Sequence, residues 1–241
     1  KILQISYLMS KGYKPNKLSL LSAEQISEMC ETAFLNQQSE STYINELLLR
    51  MIDKDIEGFD LHFDKILDKM LASEFVVSVL EPLIDKIRQL WLVRSIEPFY
   101  EEYFLNRIIV KSLVTAEKER KPGRSVREIL IFQSDHKNVP AKLSLVYFLA
   151  AIKNYKIHLY INQLSPEYIS EMKGKINPDL VYTEFNDKIT DFKLISYFKV
   201  LEETFPAAKN IVSGKIMNES WKKIPNKVYY IRNLEVLNKS L

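Results

Sequence analysis

A single cysteine, Cys30, leaves no possibility of a disulfide within the chain, which suits a reducing cytoplasm. Glycine is nearly as scarce. The five glycines are scattered along 241 residues and none form a GxGxxG or Walker pattern, so a glycine loop cradling phosphate is excluded. GxSxG is missing as well, and Cys30 has no histidine nearby in sequence, so no hydrolase nucleophile is visible. The longest apolar run, around Leu143 to Ile152, is about half of what a membrane span requires, so no membrane partner is expected. No basic segment followed by an apolar core and cleavage site stands at the start, and the first residue is Lys1 rather than Met, which leaves room for sequence before it. A net charge of +3 with a pI near 8.7 is too mild for a nucleic-acid surface, so any DNA contact is expected elsewhere. What is present, 46% hydrophobic and 27% charged residues, is the composition of a globular protein long enough for two domains, each with its own core.

The two halves differ in texture. Up to residue 120 only Gly12 and Gly58 interrupt apolar residues at helical spacing, while beyond about 127 short β-rich runs alternate with helical ones. Between them EKERKPGRSVR, residues 117 to 127, reads as a solvated linker rather than a basic patch, because glutamates interrupt it. Residues 1 to 12 look like the end of a helix closed by Gly12, and Ser22-Ala23-Glu24-Gln25 has capping-box spacing for a helix to about Leu35. After the polar run NQQSES the spacing predicts four helices, at about 42–55, 57–71, 74–93 and 98–119, the third bent or restarted at Pro82 and the fourth opened by Pro98. Amphipathic stripes on short connections imply an antiparallel four-helix bundle.

In the second half the strands are REILIFQS (127–134), KIHLYIN (156–162), DLVYTEF (179–185), KNIVSG (209–214) and KVYYIRN (227–233). Helices at about 140–153, 165–175, 188–204 and 218–223 separate them, and a last one starts near Leu234. Five strands with helical crossovers imply a flavodoxin-like, doubly wound parallel sheet in the order 2-1-3-4-5. The fold class is therefore α plus α/β. The loop after the first strand, in FQSDHKNVPAK, then falls at the ligand crevice, and His136 on it is either a turn histidine capping the next helix or a ligand. His158, inside an apolar strand, reads as a packed core residue, and His62 sits on a charged helix beside Asp60 and Asp64. Trp91, followed after nine residues by Glu101-Glu102, sets an aromatic and a carboxylate near the same end of the bundle, although adjacent helical carboxylates diverge too far for joint acid–base work.

This order of parts resembles MerR-type transcriptional regulators that carry a C-terminal cobalamin-binding region, as in light-sensing repressors of carotenoid synthesis. ILQISYLMSKGYKPNKLSLLSAEQI is similar to the last helices of the MerR winged-helix domain, and LEPLIDKIRQLW followed by EPFYEEYF to the third and fourth helices of the cap over cobalamin. The family pattern of Trp, nine residues, Glu-His is met by Trp91 and Glu101, with Glu102 in place of the histidine. Its loop pattern, Asp or Glu, one residue, His, two residues, Gly, is met by His136, with Ser134 in place of the carboxylate and Val139 in place of the glycine. Its Ser-x-Leu after the third strand stands here as Thr183-Glu184-Phe185, and its Gly-Gly after the fourth as Ser213-Gly214.

The resemblance implies segments 1–36 (end of a winged helix and linker), 41–120 (cap-like bundle) and 125–241 (cobalamin-binding-like domain). It implies His136 as lower axial ligand of cobalt, with Trp91, Glu101 and Glu102 over the upper face and a nucleotide tail threaded beside the sheet near Ser134, Val139, Thr183, Ser213 and Gly214. The implied function is the effector-sensing and oligomerisation region of a cytoplasmic regulator, meeting DNA through a domain upstream of residue 1 and forming a homo-oligomer. The alternatives are a corrinoid carrier subunit of a methyltransferase system and a ligand-free dimerisation module. All depend on the bundle resting against the carboxyl edge of the sheet, with Trp91 and His136 across a shared gap.

Overall fold

The computed structural model describes residues 5, 8–9, 12–26, 29, 40–92, 97–121, 123, 127–133, 141–185, 191–214 and 228–241. After a short helix α1 (Pro15–Leu18) come α2 (Glu40–Ile52) and α3 (Ile56–Leu67). The third long helix, α4, starts as Ala72–Glu74, widens into a π-helical segment at Phe75–Leu80, and continues as Glu81–Leu92. The fourth is α5 (Pro98–Glu119). The helix neither restarts nor stops at Pro82. Proline has no N–H and its ring crowds the carbonyl four residues back, so the backbone adopts the wider turn just upstream, where the Glu81 N–H bonds the Val76 carbonyl five residues earlier. Phe59, Phe63, Phe75 and Phe104, all fully buried, form the aromatic centre of the bundle.

The α/β lobe runs β1 (Glu128–Gln133), α6 (Ala141–Ile152), β2 (Lys156–Gln163), α7 (Pro166–Glu171), β3 (Leu180–Glu184), α8 (Asp191–Thr204), β4 (Lys209–Ser213), β5 (Val228–Tyr230) and α9 (Leu234–Ser240). The strands pair in parallel in the order 2-1-3-4-5. The expected helix at 218–223 lies outside the described residues. Helix α7 ends sooner than 175 because Gly174 takes a left-handed conformation at φ +75° that turns the chain back.

One helix explains how the lobes join. In α6, AKLSLVYFLAAI, Ala141, Leu143, Ser144, Leu145, Val146, Phe148, Leu149, Ala150 and Ala151 are all buried, so it is apolar all round and needs partners on both sides. The sheet supplies one and the bundle the other. A single hydrophobic cluster runs from Leu47, Phe59, Leu80 and Phe104 through α6 to Ile129, Ile131, Tyr182 and Ile211 on one face of the sheet and to Leu234 and Leu237 of α9. The lobes therefore share a core rather than each having its own. A second cluster, with Phe132, Val181, Phe185, Phe198 and Val212, lies on the opposite face under α7 and α8. Leu8, Leu18 and Ile26 form a small third cluster that leans on Leu49 of the bundle.

Candidate functional site at the carboxyl edge of the sheet

In an open parallel sheet the ligand crevice lies beyond the carboxyl ends of the strands, where the strand order reverses; here that is between β1 and β3. Alternation along each strand decides what faces it. Ile131, Tyr182 and Ile211 lie side by side on the face covered by α6 and α9, and one step further along the same face the register aligns Gln133 with Glu184 and Glu184 with Ser213. The face thus changes from apolar to polar at the last residue of all three strands. Gln133, Glu184 and Ser213 are 2%, 5% and 9% exposed. From one row below, the Tyr182 hydroxyl shares a 2.6 Å hydrogen bond with Ser213 Oγ.

The bundle meets this edge. The N-termini of α6 and α9 both follow strands and so lie at the carboxyl edge, and α4 contacts both. Glu81, 6% exposed, accepts a 2.9 Å hydrogen bond from the backbone N–H of Leu234, the first residue of α9. Its other oxygen is 3.6 Å from Lys142 Nζ on the first turn of α6, and Asp85, one turn on, pairs with the same ammonium at 3.1 Å. Burial pushes the Glu81 carboxyl above the ordinary carboxylate range, against the opposing pull of the Leu234 N–H and of Lys142. At the far end, Tyr147 of α6 donates to Glu117 of α5, and an Arg120 N–H donates to the Tyr155 carbonyl at 2.8 Å.

The structure distributes the sequence-expected residues as follows. His136, Ser134 and Val139 lie outside the described residues, as does the Trp91 side chain, so the facing of Trp91 and His136 lies there too; the Trp91 backbone is in the last turn of α4. Glu101 is half-buried and Glu102 exposed on the first turns of α5. Thr183 and Ser213 are not neighbours on one face: Thr183 pairs in register with Val212, and its position places it with Val181 and Phe185 over the second core, where its hydroxyl oxygen is buried without a hydrogen-bond partner. Ser213 instead shares its face with Glu184. A one-residue shift in a strand exchanges the faces, and this cannot be read from a three-residue motif. Gly214 sits at φ +117°, and a Cβ there would overlap the Phe185 carbonyl oxygen, so this glycine lets β4 pass close to the chain leaving β3.

His158 is a correction. It is not packed in the core; its Nε2 lies 3.1 Å from Glu128, beside the Lys156–Glu128 pair at 2.7 Å, because β2 is an edge strand and this side chain reaches the rim. The His62 ring bonds the Gly58 carbonyl at 2.8 Å, and among the described residues no group of His, Cys, Asp and Glu could hold a metal ion. Among the described residues no helix is long and apolar enough to cross a membrane. Sequence reasoning passed over Gln133, Tyr182 and the Glu81–Lys142–Asp85 group. The available signal was a polar residue ending each apolar strand; the contacts made by Glu81 join residues 61 and 153 positions apart and leave no local trace.

No protein-family model matches the chain, and no curated protein matches it. Solved structures do. The chain is similar to the monomethylamine corrinoid protein of Methanosarcina barkeri, with a TM-score of 0.63 and 12% identity over 84% of this chain and 98% of that one. It is also similar to a cobalamin-binding protein from Desulfitobacterium hafniense (TM-score 0.43, 14% identity, 82% of this chain and 96% of that one). A third is the methanol:cobalamin methyltransferase complex of M. barkeri (0.42, 11%, 97% and 89%). At 12% identity the first of these shows a shared fold over most of this chain, which here is a helical bundle followed by a parallel sheet in the order 2-1-3-4-5.

Proposed function

We propose that the chain is a corrinoid-binding module of the carrier kind, a scaffold that holds the cofactor for partner proteins and performs no catalysis of its own. The observation that carries this reading is the joint arrangement of bundle and sheet: α4 rests on the carboxyl edge through Glu81, and most of this chain superposes on almost the whole of a corrinoid protein. The residues at the edge fit such a ligand in chemistry, because the row of Gln133, Glu184 and Ser213 offers both donors and acceptors at the switch point. His136 would hold the cobalt, and Trp91, Glu101 and Glu102 would shield it. A bound corrinoid would supply a cobalt centre able to carry an alkyl group; the chain's part is to bind, orient and shield it.

The test is a mixture with hydroxocobalamin followed by desalting and a visible spectrum. Retained absorbance near one equivalent is expected, and His136→Ala should reduce retention and alter the spectrum. A colourless protein after desalting would remove the reading.

A second reading, the effector region of a MerR-type regulator acting through DNA and a homo-oligomer, is favoured by one feature: the separate cluster of Leu8, Leu18 and Ile26 against Leu49, a helical attachment outside the bundle's own core. It requires that oligomer mass, measured by light scattering on a sizing column, change when hydroxocobalamin is added; a constant mass would exclude it.

A further inference from the structure

We infer that β2 is a self-association edge, on which a second copy of this chain docks antiparallel so that the two sheets continue as one. Among the described residues β2 pairs with β1 alone, so its other side is open. It is also the longest strand, at eight residues, whereas β5 on the opposite edge has three. Natural edges are blunted by shortness, proline or charge. Between Ile157 and Tyr160 β2 carries no proline, lysine or carboxylate, and its side chains there are half-buried. Backbone direction decides which groups are offered. The Lys156 N–H donates to the Arg127 carbonyl at 2.9 Å where the pairing with β1 begins. Lys156, His158 and Tyr160 therefore turn their N–H groups to β1, and by alternation Ile157 and Leu159 turn theirs to the open side. The pairing is regular up to Tyr160 and shifts beyond it, so the strand presents Lys156 to Tyr160 for pairing.

That stretch is complementary to itself. A closed dimer needs a two-fold axis, which makes the two strands antiparallel. With the axis at His158, Ile157 of each copy faces Leu159 of the other as a hydrogen-bonded pair, on the face that already packs against the shared core. On the opposite face His158, held by Glu128 at 3.1 Å, meets its own copy. Lys156, which pairs with its own Glu128 at 2.7 Å, faces Tyr160 of the second copy. The one ammonium on the strand thus meets an aromatic ring instead of a like charge. A slip of one residue would set outward N–H groups against groups turned to β1, and an axis at Leu159 would draw in residues beyond the irregularity. Pairing over these five positions covers less than the roughly 1,200 Å² of a standard interface, so the dimer forms with a Kd on the order of tens of micromolar. The inference is independent of what the chain binds.

Sedimentation velocity and amide hydrogen exchange of the full chain, each from about 1 to about 500 µM, test this. The mass should rise towards twice 28.3 kDa. Over the same range exchange at the Ile157 and Leu159 amides should slow by at least about ten-fold, while Lys156, His158 and Tyr160 stay protected at every concentration. Tyr160→Lys sets ammonium groups opposite each other and should raise the dimer Kd by at least about five-fold. Tyr160→Glu removes the same ring but offers Lys156 of the second copy a carboxylate, and should leave the Kd within about two-fold. Loss of ring packing alone would move both variants equally. If a variant loses protection at the amides bonded to β1, the unmodified chain decides by its Ile157 and Leu159 exchange. A monomer at every concentration, a dimer whose Ile157 and Leu159 amides exchange as in the monomer, or equal effects of the two substitutions overturns the inference.

Discussion

Glu81 sits where the bundle, α6 and α9 meet, and removing its acceptor should cost more than its single hydrogen bond suggests. In Glu81→Ala the Leu234 N–H, covered by the bundle, loses the acceptor it has at 2.9 Å, and an unsatisfied buried donor costs about 1–3 kcal/mol. Lys142 adds little to this loss, because Asp85 still holds it at 3.1 Å. For a chain of this length each kcal/mol lowers Tm by roughly 2–4 °C. Glu81→Gln keeps an acceptor for Leu234 and loses only the charge, so near neutral pH it should match or exceed the unmodified chain. The pH dependence carries the sign. Burial raises the Glu81 carboxyl above its ordinary value of 4.5, so the folded chain holds this proton more tightly than the unfolded one. Its stabilising contribution is complete below pH 4.5 and is lost as pH rises through the elevated folded value. Urea unfolding of the three proteins from pH 4 to 8, with hydrogen exchange at the Leu234 amide, measures all of this. If Glu81→Ala lies within about 0.5 kcal/mol of the unmodified chain, the size expected of a surface change, and the Leu234 amide stays protected, the joint does not hold the lobes as argued.

Two further outcomes follow from local geometry. Gly214→Ala should destabilise by about 1–3 kcal/mol from backbone strain alone, before any overlap with the Phe185 carbonyl, because its φ is +117°; a thermal melt unchanged from the parent would show that β4 can leave the sheet by another path. Glu128 is held below its ordinary value of 4.5, first by its hydrogen bond to Lys156 and then by His158. Its contribution is therefore present above pH 4.5 and lost as pH falls through the lowered folded value, and Lys156→Met should flatten that part of the acid-unfolding curve, by a small amount because the pair is near the surface. An identical acid limb in both proteins would show that the pair contributes nothing.

The sequence alone determined the order of elements, because each rests on local rules. Period-3.6 stripes marked the bundle helices, Pro98 opened α5, β-rich runs separated by helical ones demanded parallel crossovers, and that connectivity has few arrangements, of which 2-1-3-4-5 is the one observed. The position of the crevice followed from the strand order. Tertiary structure decided the rest. Which of Thr183 and Glu184 shares a face with Ser213 depends on a register of one residue, and a motif quoted as three letters does not carry it. That α6 is shared between sheet and bundle, giving one core to two lobes, depends on what surrounds a helix on all sides. The contacts of Glu81 with Leu234 and Lys142 arise only on folding, since a contact between residues distant in the chain is set by the packing of everything between them.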